Sequence, residues 1–225
     1  RRLELENGGV DLIQQNGQLS AIPAEDVKAF TNHPNIDVLN VPSQIIRQLE
    51  FNNNNADSPV KDVRVRRAIA HAIDYDGLIK TTLAGNGRVQ ATAIPNGFPG
   101  TENLPLPKYD LAKAQQLMKE AGKEAGFSIE AEYMKLNIYG VDGDVMMQKI
   151  QQDLKKINIE LKLKPVDGTQ WLADMQSTGM PGTWIYFAPD FLDASEYIKY
   201  MGPISGGSRG YPTFPANIKP VPNQQ

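Results

Sequence analysis

Residues 62–74 read DVRVRRAIAHAID. Val65, Ile69, Ala72 and Ile73 fall at offsets 0, 4, 7 and 8, which is one face of an α-helix, with Ala68 beside them. Asp62 suits the N-cap, where a carboxylate accepts hydrogen bonds from the free N–H groups of the first turn. Arg66, Arg67, Ala70 and Asp74 occupy other faces, and His71 stands four residues from Arg67 and three from Asp74, within helical reach of both. The helix is expected to run on to Leu83, where AGNG stops it. Lys61, Arg64, Arg66 and Arg67 face Asp62, Asp74 and Asp76, so the local net charge is +1. This is a charge-laced helix surface and not a stripe for phosphates.

The whole chain of 225 residues is long enough for one large or two small domains. Its 23 Lys and Arg against 26 Asp and Glu give a net charge of -3, which argues against nucleic acid as a partner. Cysteine is absent and there are only two histidines, so a thiol nucleophile is excluded and a zinc or iron–sulfur site is not expected. No cofactor or metal is implied. No run of 18 apolar residues exists to span a bilayer. The chain opens on Arg1 without a signal-peptide pattern and closes on the proline-rich YPTFPANIKPVPNQQ, so it reads as a piece of something larger.

Around the opening stretch the pattern alternates between helical and extended. IPAEDVKAF from Ile22 reads as a short helix with Pro23, Glu25 and Asp26 at its start. IDVLNV at 36–41 and QIIRQLEF at 44–51 read as strands, and Asn52 to Asn55 as a surface loop. The segment from Arg88 to Asp110 shows little period and is expected to be a long ordered loop, of the kind that often carries binding groups. Asp110 caps a helix over LAKAQQLMKEAG. FSIEAEYM from Phe127, a helix from Val145 to Ile157, and INIELKLKPV then form a strand–helix–strand unit. A helix beginning at Asp167 or Thr169 and a strand from Thr183 follow, so the expected class is α/β.

No nucleotide-binding, zinc-protease or serine-hydrolase motif is present, and Asp142 and Asp144 lack the further oxygens of a calcium loop. GPISGGSRG from Gly202 lacks nucleotide-loop spacing and reads as a flexible or ligand-proximal loop. Asp190 and Asp193 in APDFLDA follow a strand at its C-terminal end, where open α/β sheets place ligand-facing groups. One such carboxylate could hold an amine by a charge-assisted hydrogen bond, walled by Phe191, Trp184, Tyr186 and Phe187. Asp190 could equally cap the helix that starts near Ala194.

SPVKDVRVRRAIAHAIDYDGLI resembles the motif helix of the extracellular solute-binding proteins of the peptide and nickel class, which deliver ligands to ABC importers. GGVDLI, EFNNNN, YDLAKAQQLMKEAG, IQQDLKKINIELKLKPV and APDFLDASEYI are similar to further segments of that family in the same order, over roughly residues 6 to 200. The resemblance implies a two-lobe, periplasmic-binding-protein-like α/β fold of the large peptide-binding type. Residues 1–60 end the first lobe, 61–189 form the second, and 190–225 are a returning cleft segment with the proline-rich tail.

It implies further that Asp190 holds a peptide's ammonium and Asp193 is a structural turn residue, although Leu192 and Ala194 stand where many relatives have proline. Phe98 becomes an aromatic contact from the 89–100 loop. Asp62, Val65, Arg66, Ala68, Ile69, Ala72, Ile73 and Asp74 are structural motif positions. The implied function is peptide capture by a monomer, outside the cytoplasmic membrane, for transfer to a membrane permease, with a lipid anchor lying outside this chain as an option. The alternatives are a nickel complex, haem or oligosaccharide as cargo, a receptor or chaperone that uses the same lobes without import, or a hydrolase using Asp190 and Asp193. As a piece, the chain is expected to bind weakly and to unfold without full cooperativity.

Overall fold

The computed structural model describes residues 1–14, 22–39, 41, 43–52, 57–138, 140–176 and 180–201. Two short helices come first, α1 (Arg2–Glu6) and α2 (Ala24–Thr31), the latter entered through Pro23 as expected. Residues 36–39, expected as a strand, take no regular structure; Val38 and Leu39 are exposed and no described strand pairs with them. The apolar alternation there is not matched by a partner ladder, and a strand needs one.

The centre of the fold is a four-stranded sheet in the order β1 (Ile46–Phe51), β6 (Gly182–Phe187), β2 (Phe127–Met134), β5 (Ile159–Val166). A two-residue hairpin, β3 (Asn137–Ile138) and β4 (Val141–Asp142), follows β2. β2 is parallel to both β5 and β6, while β1 runs antiparallel to β6 with Ile46 opposite Phe187 and Phe51 opposite Gly182. α6 (Gly143–Lys155) connects β2 to β5, and α7 (Gly168–Gln176) connects β5 back to β6 on the other side of β2. The expected strand–helix–strand unit is therefore present and its strands are neighbours. Gly126 (φ +80°) lets the parallel pair start side by side, because a Cβ there would meet the carbonyl oxygen of Asn158 at 1.9 Å.

Residue parity divides the core between the two faces. On one face Ile129, Ala131, Tyr133, Ile159, Leu161, Trp184 and Phe51 pack with α3 (Val63–Ala72), α5 (Leu111–Glu120) and α6. On the other, Ile46, Ile185 and Phe187 pack with Trp171 and Met175 of α7 and with Tyr197 of α8 (Ala194–Met201). Full burial of each such side chain contributes about 1.5–3 kcal/mol before entropy is charged.

The 62–74 stretch folds largely as its pattern predicts. Val65, Ala68, Ile69, Ala72 and Ile73 are buried, and the Asp62 carboxylate accepts the Arg64 N–H at 2.8 Å. Its arginines serve carbonyls: Arg66 donates to Val60 O and Lys61 O, and Arg64 to Glu120 O at the end of α5. One expectation fails, since the helix does not continue to Leu83. Ile73 turns extended (ψ 122°) and a new helix, α4 (Tyr75–Thr82), begins with Asp74 as N-cap, accepting the Gly77 N–H at 3.0 Å. A Cβ at Gly77 would lie 2.2 Å from that carboxylate. The break is fixed from α6, where Asp153 accepts the backbone N–H of Asp74 at 3.1 Å.

Residue 60, the expected lobe boundary, lies in the 3-10 turn Pro59–Lys61, yet β1 on its N-terminal side belongs to the same sheet as residues 127–187. Asn53 to Asn55, the glycine-rich GPISGGSRG and the proline-rich tail lie outside the described residues.

Candidate functional site

In the parallel part of the sheet the chain leaves β2 for β5 on one side and returns to β6 on the other, so the strand order reverses between β2 and β6. The crevice beyond the C-terminal ends of strands at such a reversal is the usual ligand position in open α/β sheets. Three segments meet there. Met134 and Val166 end β2 and β5 and pack in the second core cluster with Ala93, Ile94 and Phe98 of the long loop. The loop from Arg88 to Thr101 is shaped by its own hydrogen bonds, among them Asn96 N–H to Gln90 Oε1 at 2.9 Å and Thr101 Oγ1 to Phe98 O at 2.7 Å.

The third segment follows Phe187. Asp190 and Phe191 are exposed, Phe191 by 56% of its surface, and among the described residues none donates to the Asp190 carboxylate. Asp193 has the capping role: its carboxylate accepts the Ser195 N–H at 2.8 Å, and hydrogen bonds from the Ser195 side chain first and its backbone second hold its pKa below the ordinary value. Capping of α8 therefore falls to Asp193 and leaves Asp190 free of that duty.

The other expected contacts separate. Phe98 is half-buried, edge-on to Tyr197 with centroids 5.5 Å apart, so it faces the crevice rim from a packed position. Trp184 is 3% exposed and packs against α3, α5 and α6 on the far face, so no part of its ring lines the crevice. Tyr186 is half-buried and sits opposite Arg47, whose Nη2 donates to Ile138 O of the β3–β4 hairpin at 2.9 Å. Phe98 thus packs with Phe187 and Tyr197 on the α8 side of the sheet, Asp190 and Phe191 follow the C-terminal end of β6, and Tyr186 and Trp184 share the opposite face of that strand.

Two residues of α8 that the sequence reading passes over complete the arrangement. Glu196 is 5% exposed and accepts the Asp190 N–H at 3.2 Å. Tyr197 is fully buried; its hydroxyl, pushed up to about 12 by burial and then by Glu196, donates to Gln44 O at 2.7 Å, and its ring stands edge-on to Phe187 at 5.2 Å. The available signal was Asp193-x-x-Glu196, the spacing of a capping box. None of these groups has a nucleophile–base geometry, and among the described residues no cluster of three metal-ligating side chains occurs.

Residues 1–208 match the family described as bacterial extracellular solute-binding proteins, family 5 middle region. The chain is 29% identical over 149 residues to the dipeptide-binding protein of Escherichia coli K12, covering 65% of this chain and 28% of that protein. It is 27% identical over 209 residues to the probable D,D-dipeptide-binding periplasmic protein DdpA of the same organism, covering 89% of this chain and 37% of that one. The chain thus spans about a third of the length of these relatives. Among solved structures it is similar to the ABC transporter-associated periplasmic binding protein DppA of Helicobacter pylori in complex with the peptide STSA, with a TM-score of 0.70 and 23% identity over 87% of this chain and 36% of that chain. The fold is that of the periplasmic peptide-binding proteins, and the chain belongs to the bacterial extracellular solute-binding proteins, family 5.

Proposed function

We propose that the protein is the substrate-binding component of an ABC importer, which captures peptides between two hinged lobes and hands them to a membrane permease. In this reading the first lobe, expected to end at residue 60, ends before β1 instead, because β1 shares the sheet of the second lobe, and the segment from Asp190 borders the cleft. The Asp190 carboxylate accepts a charge-assisted hydrogen bond from the ligand's ammonium. Phe191 and Phe98 offer apolar surface beside it, while Tyr186 and Trp184 support the end of β6 from its opposite face. No bond is broken, so the protein is a binder and not an enzyme. It works as a monomer in the periplasm or outside the cell, held at the membrane where the full-length chain carries an N-terminal lipid, and takes neither cofactor nor nucleic acid.

The observation that carries this reading is the placement of Asp190. It is an exposed carboxylate with no described donor, just beyond the end of β6 at the strand-order reversal. The names of the relatives, dipeptide-binding and D,D-dipeptide-binding, support peptides as the cargo. Calorimetric titration of the full-length protein with a peptide library tests it. Peptides with a free amino terminus are expected to bind, and Asp190→Asn to weaken them roughly 10- to 100-fold, as loss of a hydrogen bond to a charged group does. Binding of a nickel complex, haem or an oligosaccharide with no peptide bound would replace the cargo, and turnover abolished by Asp190→Asn would make the protein a hydrolase.

A further inference from the structure

Asp190 is exposed and no described side chain steers it, so its direction has to come through its own backbone. That backbone is held by Glu196, whose Oε2 accepts the Asp190 N–H at 3.2 Å while the residue is only 5% exposed. In a capping box the acidic residue at the third helical position turns back onto the N–H of the N-cap. Here the N-cap is Asp193, whose N–H is already given to Phe191 O at 3.0 Å, and Glu196 reaches past it to Asp190. Its base is rigid, because the adjacent Tyr197 is fully buried, packs against Phe98 and Phe187, and is bonded to Gln44 O at the entry to β1.

We infer that Glu196 is the positioning residue for Asp190: its buried carboxylate fixes the peptide plane that leads into Asp190 and thereby aims the exposed carboxylate at a cationic amine. The inference rests on the reading of Asp190 as the ammonium acceptor. A positioning role needs an acceptor at this place and not a negative charge as such, so glutamine should serve and a shorter acid should not.

The test uses the full-length protein and two probes, an equimolar pool of di- to pentapeptides with free amino termini and the same pool N-acetylated, with retained peptide quantified by mass spectrometry. Wild type is expected to prefer the free-amine pool and Asp190→Asn to lose that preference. Glu196→Ala should reduce the preference roughly tenfold, Glu196→Asp likewise, and Glu196→Gln should hold it within about twofold, the spread expected for one hydrogen bond lost or kept. In the ligand-free protein, amide exchange across residues 188–193 should speed up in Glu196→Ala and Glu196→Asp alone. Should the alanine variant fail to fold, the aspartate variant carries the same test.

Preference and exchange unchanged in Glu196→Asp, with preference lost in Asp190→Asn, overturn the positioning role and leave the ammonium reading standing. Equal loss of both pools without rescue by glutamine reduces Glu196 to a folding residue and overturns it too. Preference intact in Asp190→Asn, or no peptide retained by wild type, brings down the reading and the inference together.

Discussion

Asp153 and Glu132 are both buried on this sheet, on opposite faces, and their surroundings treat them in opposite ways. Asp153 on α6 is 0% exposed, yet Lys149 reaches both its oxygens at 2.8 and 2.9 Å, Lys156 reaches one at 2.7 Å, and the Asp74 N–H adds a fourth bond. Burial pushes its pKa up, and the bonds from Lys149, Lys156 and Asp74 overcome this and hold it below the ordinary value. Glu132 on β2 is 1% exposed and has Lys164 on one oxygen at 2.6 Å, while Oε1 meets no donor. Burial raises its pKa; Lys164 opposes that incompletely, and the neighbouring Asp174 adds to it. Depth does not decide the fate of a buried carboxylate; the number of oxygens that meet a donor does.

The largest effect is expected where the satisfied network is broken. Asp153→Ala leaves two ammonium groups turned toward a void and the Asp74 N–H without an acceptor, and should destabilise the protein by about 3 kcal/mol in urea unfolding. A loss under about 1 kcal/mol would put this network on a par with a surface ion pair. Next comes Glu132→Gln, whose amide can accept from Lys164 and donate toward Asp174. It should stabilise the protein by about 1 kcal/mol at pH 7, and a loss of stability would erase the contrast.

The pH profiles should have opposite signs. Asp153, with a lowered folded pKa, contributes stability that is complete above the ordinary carboxylate value of 3.8 and is lost as pH falls through the folded pKa. Glu132, with a raised pKa, binds its proton more tightly when folded, so its cost grows as pH rises from 4.5 through the folded value and is full above it. Glu132→Gln should flatten only that upper window. The smallest effect belongs to a surface carboxylate: Asp62, drawn down to about 2 chiefly by side-chain bonds from Arg64, is worth about 1 kcal/mol or less as an N-cap in Asp62→Ala.

The same division between local and distant causes governs what the sequence makes legible. Asp62 and Asp110 cap helices through donors two or three residues away, so motif spacing finds them. Asp142 and Asp193 cap through equally local donors, but neither is singled out as a cap in the sequence, where Asp190 competes with Asp193 for α8. The break after Ile73 is not legible, because Asp74 is held by Asp153 from a different helix. Trp184 and Phe187 both stand on an apolar strand and both are read as walls of a ligand site, but the sheet is covered on both faces and each ring is deep core, which alternation alone cannot tell from a crevice position. Asp190 is singled out in the sequence by its place after a strand. Glu196 is missed since its capping-box spacing points to Asp193, whereas in the fold its bond goes to Asp190.

The antiparallel β1–β6 ladder has a consequence for the order in which the molecule assembles. β2, the β3–β4 hairpin, α6 and β5 follow one another in the chain and can condense over short connections, whereas Phe51 has to find Gly182 across all of the sequence between them. Closing so long a loop is entropically costly until the parallel unit already offers β6 a place beside β2. The strand expected to join last is thus the one that carries Arg47 and leads from Gln44, where Tyr197 is tied, which would make completion of the crevice edge a late step of folding.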